Sequence, residues 1–381
     1  MRLEINDELA ELRQQLRGFV RAKLDPIAAE IDRTGQVPEA AWVALREQGL
    51  LGMLLPAEYG GAGADLPTYC LTQEEVARSH RVFTLILDYT SGLTPIGILR
   101  HGTEAQRQKW LPGMATGKLR ASFGLTEPEA GSDAAAMTTR AVKVPGGWVL
   151  NGLKHWISGA NKADVVLVMA VTDPVKRARG GIGAFLVEKG TPGFAVTRVD
   201  TTIGSEAIEL GELTFTDCFV PDDAVLGDPG KGFAIAMTSL TNGRLGVSAA
   251  CIGAADRLLE YSVAHAKQRV TFGKPLAERQ AIQWMLADSA VDIATARAFM
   301  YETLRGVAAG LPPGIGPSIC KLHCSEMVGR VADRAVQIHG GAGLVRGGLP
   351  IERFYRDIRH YRVGEGASEV QRMLIAKDLL Q

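Results

Sequence analysis

Apolar residues recur at helical spacing at both ends of this chain and at strand spacing between them. Near the N-terminus Ile5, Leu9, Leu12, Leu16, Phe19 and Val20 advance mostly in steps of four and three, which makes one face of a helix apolar. A second run of this kind covers residues 42–51. The glycine-dense stretch 56–65 between helical patterns predicts a loop. Residues 1–120 therefore read as a helical segment.

From 121 to 230 the period shortens. Residues 139–144 alternate, Pro145-Gly146-Gly147 supplies a turn and Trp148-Val149-Leu150 resumes a strand, which predicts a hairpin. Residues 164–171 and 182–187 are short continuous apolar runs and 212–216 alternates again, with 203–210 read as the lead-in to that strand. Short strands separated by Gly/Pro turns predict a small β-domain. Beyond 231 the helical period returns: Ile282, Met285, Leu286, Ile293, Ala296 and Met300 form one long stripe, and 245–265 and 321–338 are comparably long. The cluster Gly310-Leu311-Pro312-Pro313-Gly314 separates two of these helices, as a connection in a bundle does. Residues 231–381 read as a helical bundle.

Charge narrows the function classes. Among 381 residues, 42 Lys+Arg balance 42 Asp+Glu, so neither the basic excess of a nucleic-acid binder nor the acidic excess of a solvating chain is present. The start Met1-Arg2-Leu3-Glu4 brings an acid in early and leads into no apolar signal-peptide core. No continuous apolar run reaches membrane-spanning length, so the expectation is a cytoplasmic protein without membrane insertion. Five cysteines without a Cys-x-x-Cys pair argue against a disulfide scaffold. Cys320, His323 and Cys324 share a helical turn, but no second Cys/His cluster completes a site, so they read as core and no metal is expected. Glycine is the outlier: 44 residues, about one and a half times ordinary usage, predict places where backbone approaches something closely.

The densest chemical signal is Phe123-Gly124-Leu125-Thr126-Glu127-Pro128-Glu129-Ala130-Gly131-Ser132-Asp133, at the junction of the first two segments. Its small residues and hydroxyls suit a backbone that approaches a planar ring or a phosphate, and they suit a capped turn equally well. In Trp156-Ile157-Ser158 an extended backbone would turn Trp156 and Ser158 to one side, an indole beside a hydroxyl; a half-buried core tryptophan is the other reading. His339-Gly340-Gly341-Ala342-Gly343 follows a helical stripe and not a strand, and Gly181-Ile182-Gly183 lacks a third glycine, so no nicotinamide-type dinucleotide fold is expected. Glu365 stands between Gly364 and Gly366 just before a last helical pattern, on a constrained and sterically open turn.

In order along the chain, the 58–65 loop, the 126–133 loop, Trp156-Ile157-Ser158, Arg269-Val270-Thr271-Phe272-Gly273-Lys274-Pro275-Leu276, Gln337 to Gly343 and Gly364-Glu365-Gly366 resemble the acyl-CoA dehydrogenases. The resemblance runs nearly end to end. It implies a mostly helical α+β fold with three domains: an N-terminal helical domain (1–120), a β-barrel-like middle domain (121–230) and a C-terminal four-helix bundle (231–381). It also implies an FAD enzyme that converts an acyl-CoA thioester to its trans-2-enoyl form, passes electrons to an electron-transfer flavoprotein and assembles as a homotetramer.

Carried onto these positions, the resemblance implies that Glu365 removes the α-proton while hydride leaves for flavin N5. Its backbone N–H and a flavin ribityl hydroxyl would polarise the thioester carbonyl, and an apolar pocket would raise the pKa of the carboxylate. Phe123, Leu125, Thr126, Gly131, Ser132, Trp156, Ile157 and Ser158 would line the flavin. Arg269, Thr271, Phe272, Gln280, Gln337, Gly340, Gly341, Ala367 and Glu369 would hold the rest of FAD, partly across a subunit boundary. Ser132, Thr241, Arg244 and Gly366 would contact substrate. Relatives that carry the base on the helix of the C-terminal domain have it just before an arginine; here that position is Gly243, before Arg244, which leaves Glu365 as the base. Gly364 stands where an aromatic residue is common in that family, which implies either a pocket widened toward branched, cyclic or aromatic acyl groups or a difference in loop geometry alone. A flavin monooxygenase or oxidase on the same fold, and a carrier-protein thioester in place of CoA, are the competing readings.

Overall fold

The computed structural model describes residues 6–381, so Ile5 of the first predicted stripe lies outside the described residues. Seven helices form the N-terminal part: α1 (Asp7–Phe19), α2 (Asp25–Thr34), α3 (Glu39–Glu47), α4 (Leu66–Val76), α5 (Arg81–Ser91), α6 (Leu93–His101) and α7 (Glu104–Ala115). Asn6 caps α1 through its side chain, and Thr103 with Gln106 forms a capping box on α7. A π turn at Val20–Leu24 joins α1 to α2.

The chain then enters seven strands: β1 (Ala121–Gly124), β2 (Arg140–Val144), β3 (Gly147–Ser158), β4 (Val165–Val171), β5 (Ile182–Glu188), β6 (Phe194–Asp200) and β7 (Leu210–Pro221). They make one curled sheet in the order β1-β4-β2-β3-β7-β6, with β5 on the other edge of β4. The β2–β3 hairpin has the predicted turn, with Val144 opposite Gly147. The fully buried β4 and β5 explain their continuous apolar runs. β1 and β6 carry no comparable signal in the sequence. Residues 203–209 are not a strand, contrary to expectation. Gly204 presses on the backbone of Arg356 and Asp357, and the Ser205 hydroxyl donates to Asp357 Oδ1 at 3.0 Å, so this segment is a loop docked on the C-terminal part.

The C-terminal part holds α8 (Gly232–Gln268), a small hairpin of β8 (Val270–Thr271) and β9 (Lys274–Pro275), α9 (Gln280–Ala308), α10 (Gly316–His339), α11 (Ile351–Ile358) and α12 (Ser368–Leu379). One core runs through the N-terminal helices and the bundle, from Leu16 and Phe83 to Leu258, Tyr301 and Val328. The five cysteines are buried. Across this core lies an ion network that sequence reading missed. Arg13 of α1 meets Glu74 at 2.6 Å and Glu75 at 2.8 Å on α4 and donates to the Tyr301 hydroxyl of α9, while Arg297 reaches Glu74 at 3.0 Å. It fixes α4 against the bundle. The helical stretch Arg81–His101 is apolar and long enough to cross a membrane, but it is broken at Gly92 and 72% of its most apolar window is buried in the protein.

Candidate active site

Glu365 sits on a strained turn. Its φ is 59° and that of Gly366 is 88°, two successive residues in a region that side chains disfavour. Three bonds hold the turn: Gln371 Nε2 donates to the carbonyls of Glu365 (3.2 Å) and Gly366 (3.0 Å), and Lys321 Nζ donates to the Gly366 carbonyl at 2.6 Å. Glu365 does not cap α12, whose N-cap Ala367 makes no side-chain cap. Although the residue is only partly buried, Oε2 is enclosed and unpartnered among the described residues, and the Glu365 backbone N–H also has no hydrogen-bond partner among them.

The carboxylate lies against Gly243 on α8, beside Arg244. Burial and the neighbouring Asp88 push its pKa up to about 8, against the opposing pull of Arg244 and Lys321. Burial likewise raises Asp88 to about 7 and lowers Lys321 to about 8. The structure thus brings together the predicted Glu365, Arg244 and Gly366. Thr241 stands one turn before Leu245 on α8, with its hydroxyl given to the Met237 carbonyl at 3.2 Å. Asp88, Lys321, Tyr69 and Gln371 were not anticipated. A signal existed for two of them: Asp88 follows Leu85-Ile86-Leu87, and Lys321 follows Ile319-Cys320 on a helix that buries this face.

The β-domain supplies the second wall. Glu127 is the pin of the 123–133 loop. Its carboxylate accepts from the backbone N–H groups of Thr138 (2.6 Å) and Thr139 (2.9 Å) and pairs with buried Lys154 at 2.7 Å, and Lys154 also donates to the Leu125 carbonyl. Burial alone would raise the Glu127 pKa, but Lys154 and these donors outweigh it and hold it at about 2. Phe123, Leu125 and Thr126 are left half-buried and Gly131 and Ser132 exposed, with open space where a Gly131 side chain would be.

The expected alternation through Trp156 does not hold. β3 bulges between Lys154 and Ile157, Trp156 takes φ 56°, and its indole stacks on His155 at 4.3 Å while staying 49% exposed. Ile157 turns into the sheet core, so a ligand can meet only its backbone. The bulge makes an exposed aromatic shelf, and the hydroxyls of Thr126, Ser132 and Ser158 are uncommitted among the described residues. Shelf, free hydroxyls and open glycine fit a flat heteroaromatic group such as a flavin.

Helix α5 ties the two walls together. Asp88 neighbours Glu365, while the next residue, Tyr89, has its buried, unpartnered hydroxyl against Gly159 at the end of β3. On the other side, Thr94 of α6 donates to the Ser122 carbonyl (3.0 Å) and Ser122 to the Ser158 carbonyl (2.9 Å). A separate cavity of about 140 Å³, lined by Trp42, Tyr89, Arg120 and Asn161 among others, contains none of the predicted site residues.

The remaining predicted residues form another cluster. Arg269, Thr271 and Phe272 lie on the hairpin after α8, and Gln280 opens α9. Gln337, Gly340 and Gly341 lie where α10 ends, with Gly340 at φ 58° and open space around both glycines. The His265 and His339 rings, 4.4 Å apart, join the two groups. Arg244 and Arg269 are about 37 Å apart along α8 at roughly 1.5 Å per residue, farther than one dinucleotide spans. The structure therefore does not bring this cluster to Glu365 within one chain. Ala367 and Glu369 are near Glu365, the latter exposed on α12.

A helical domain and a helical bundle packed with a curled sheet, a carboxylate held on a strained turn of the bundle and an exposed aromatic shelf on the sheet suit a flavin-dependent oxidoreductase. Three family descriptions match in chain order: acyl-CoA dehydrogenase N-terminal domain (residues 6–118), middle domain (122–218) and C-terminal domain (230–380). The chain is similar to an acyl-CoA dehydrogenase of Bacillus subtilis, 37% identical over 99% of both chains. It is also similar to an acryloyl-CoA reductase (NADH) of Anaerotignum propionicum, 38% identical over all of this chain and 96% of the relative. The solved butyryl-CoA dehydrogenase of Megasphaera elsdenii superposes with a TM-score of 0.93 at 36% identity, covering both chains completely. The chain belongs to the acyl-CoA dehydrogenase family, and its cofactor is FAD.

Proposed function

We propose that this chain α,β-dehydrogenates an acyl-CoA thioester, with Glu365 as the base that takes the α-proton. The observation that carries this is the buried, unpartnered Oε2 of Glu365 on a turn strained enough to need Gln371 and Lys321 to hold it. A carboxylate whose pKa is raised to about 8 binds a proton from a weakly acidic carbon far better than an ordinary glutamate does. The free Glu365 N–H is the donor for the thioester oxygen, where negative charge grows as the proton leaves. Arg244 and Lys321 balance the charge of the ionised base without pairing with it closely enough to quench it. Bound FAD supplies the acceptor for the β-hydride.

Phe123, Leu125, Thr126, Gly131, Ser132, Trp156 and Ser158 would hold the flavin, and Ser132, Thr241, Arg244 and Gly366 the substrate. Arg269, Thr271, Phe272, Gln280, Gln337, Gly340 and Gly341 would grip the distal part of an FAD whose flavin lies in a second copy. The separation along α8 supports this, and so does the exposure of Phe272 (97%) and Trp284 (61%) beside that cluster. The electrons would leave through an electron-transfer flavoprotein.

The purified holoprotein should be yellow and should bleach anaerobically with a suitable acyl-CoA. Glu365→Gln should keep its flavin and not bleach. Bleaching of that variant at the wild-type rate would overturn the assignment of the base.

A further inference from the structure

The site holds a second carboxylate that proton abstraction does not use. Asp88 is fixed from two sides. Buried Gln73 on α4 donates through Nε2 to the Tyr69 hydroxyl (2.6 Å) and to the carbonyl of Thr84 (3.2 Å), one turn before Asp88, which locks α4 to α5. One turn after Asp88 the chain breaks at Gly92, where any Cβ would collide with the Asp88 carboxylate. Tyr69 in turn packs on Gly246, one turn along α8 from the Gly243 that seats Glu365, and both carboxylates are its charged neighbours. Asp88, Tyr69 and Glu365 are therefore neighbours, brought together by α4, α5 and α8.

Among the described residues nothing satisfies Asp88. Among the described residues its carboxylate accepts no hydrogen bond and pairs with no cation, since Arg244 of α8 and Lys321 of α10 act on Glu365. A half-buried acceptor without donors is costly, and a plain alkyl chain laid against it would raise the cost by removing water. A hydroxyl or an ammonium on the acyl group would remove it. The Tyr69 oxygen already accepts from Gln73, so its own proton remains free to be given to the oxygen of such a hydroxyl, whereas an ammonium would use Asp88 alone.

We propose that Asp88 is the acyl-specificity residue of this site and selects acyl thioesters whose acyl group carries a hydrogen-bond donor, a hydroxyl or an ammonium, over unadorned alkyl chains. This rests on the acyl-thioester reading of the Glu365 site and names the substrate class within it. The discrimination arises because a site built around an uncompensated acceptor rejects the analogue that lacks the donor.

The test compares matched pairs on the FAD-loaded protein: butyryl-CoA against its ω-hydroxy derivative, and isobutyryl-CoA against its β-hydroxy and β-amino derivatives. The wild type should favour a donor-bearing member in kcat/KM by about tenfold or more. Which derivative wins separates the hydroxyl from the ammonium. Asp88→Leu should invert the ratio, with Asp88→Asn and Asp88→Ser as further variants should Leu fail to fold. Dissociation constants from calorimetry in a Glu365→Gln background should show the same preference without turnover. A wild type that binds and turns over alkyl members as well as donor-bearing ones would overturn the proposal while leaving Glu365 standing. The converse, a donor preference in binding with no bleaching by any acyl-CoA, would retain Asp88 and remove the assignment of Glu365.

Discussion

The Glu365 carboxylate rests on the bare α-carbon of Gly243: a methyl group there would come within 2.6 Å of Oε2 and 3.0 Å of Cδ. The glycine of α8 and the glutamate of the last turn are therefore complementary, and one cannot change without displacing the other.

Gly243→Ala should shift the carboxylate and lower bleaching rate by about 10- to 100-fold, because small misplacements of a base are costly. Flavin content and folding should be unchanged, since alanine favours the helix. Stopped-flow bleaching with flavin absorbance as the control measures both. An unaffected rate would show that the base sits elsewhere during reaction.

The raised pKa of Glu365 predicts two pH effects of defined sign. Bleaching should rise with pH and level off above about 8, where the free base is ionised. Asp88→Asn should move that midpoint down, because Asp88 raises it, and Lys321→Met should move it up, because Lys321 lowers it. Stability runs the other way. A folded-state pKa above the unfolded value contributes stability that is complete below about 4.5 and is lost as pH rises through about 8. Denaturant midpoints of the wild type minus those of Glu365→Gln, across this window, isolate the effect.

Breaking the Glu127–Lys154 pair should be expensive. Both side chains are almost wholly buried, so Glu127→Gln or Lys154→Met each leaves a charge without its partner, at about 3–5 kcal/mol. The double variant should recover most of that loss. Urea unfolding of the two single variants and the double variant decides it, and a double variant no better than the worse single one would contradict the pairing.

The distance along α8 predicts complementation between chains. Arg269→Glu should lose FAD and Glu365→Gln should lose turnover. Co-assembled, the two should regain part of the activity, because intact Glu365 of one copy and intact Arg269 of another then meet at the same flavin. No recovery in mixed oligomers of verified composition would place Arg269 and Glu365 at one flavin within a chain.

The helix–sheet–helix layout was legible because its periods differ, and the turn at Glu365 was legible because two glycines flank it. Trp156 was misjudged: strand alternation orients side chains only where the ladder is regular, and the bulge after Lys154 breaks it. The loop 203–209 was misread because its docking on Asp357 depends on a helix about 150 residues later. The Arg13–Glu74–Arg297 network was invisible, since charged residues on a helix normally signal solvent.

By itself, then, the sequence determined what local patterning determines: three structural segments, the Gly-Glu-Gly turn, the open glycines after α10 and an acid on that turn as the candidate base. Only the tertiary structure decided what surrounds that acid. Tyr69 and Asp88 come from two adjacent N-terminal helices, and Lys321 and Gln371 from helices more than 200 residues later. A pKa is set by burial and neighbours in space, which no spacing along the sequence encodes.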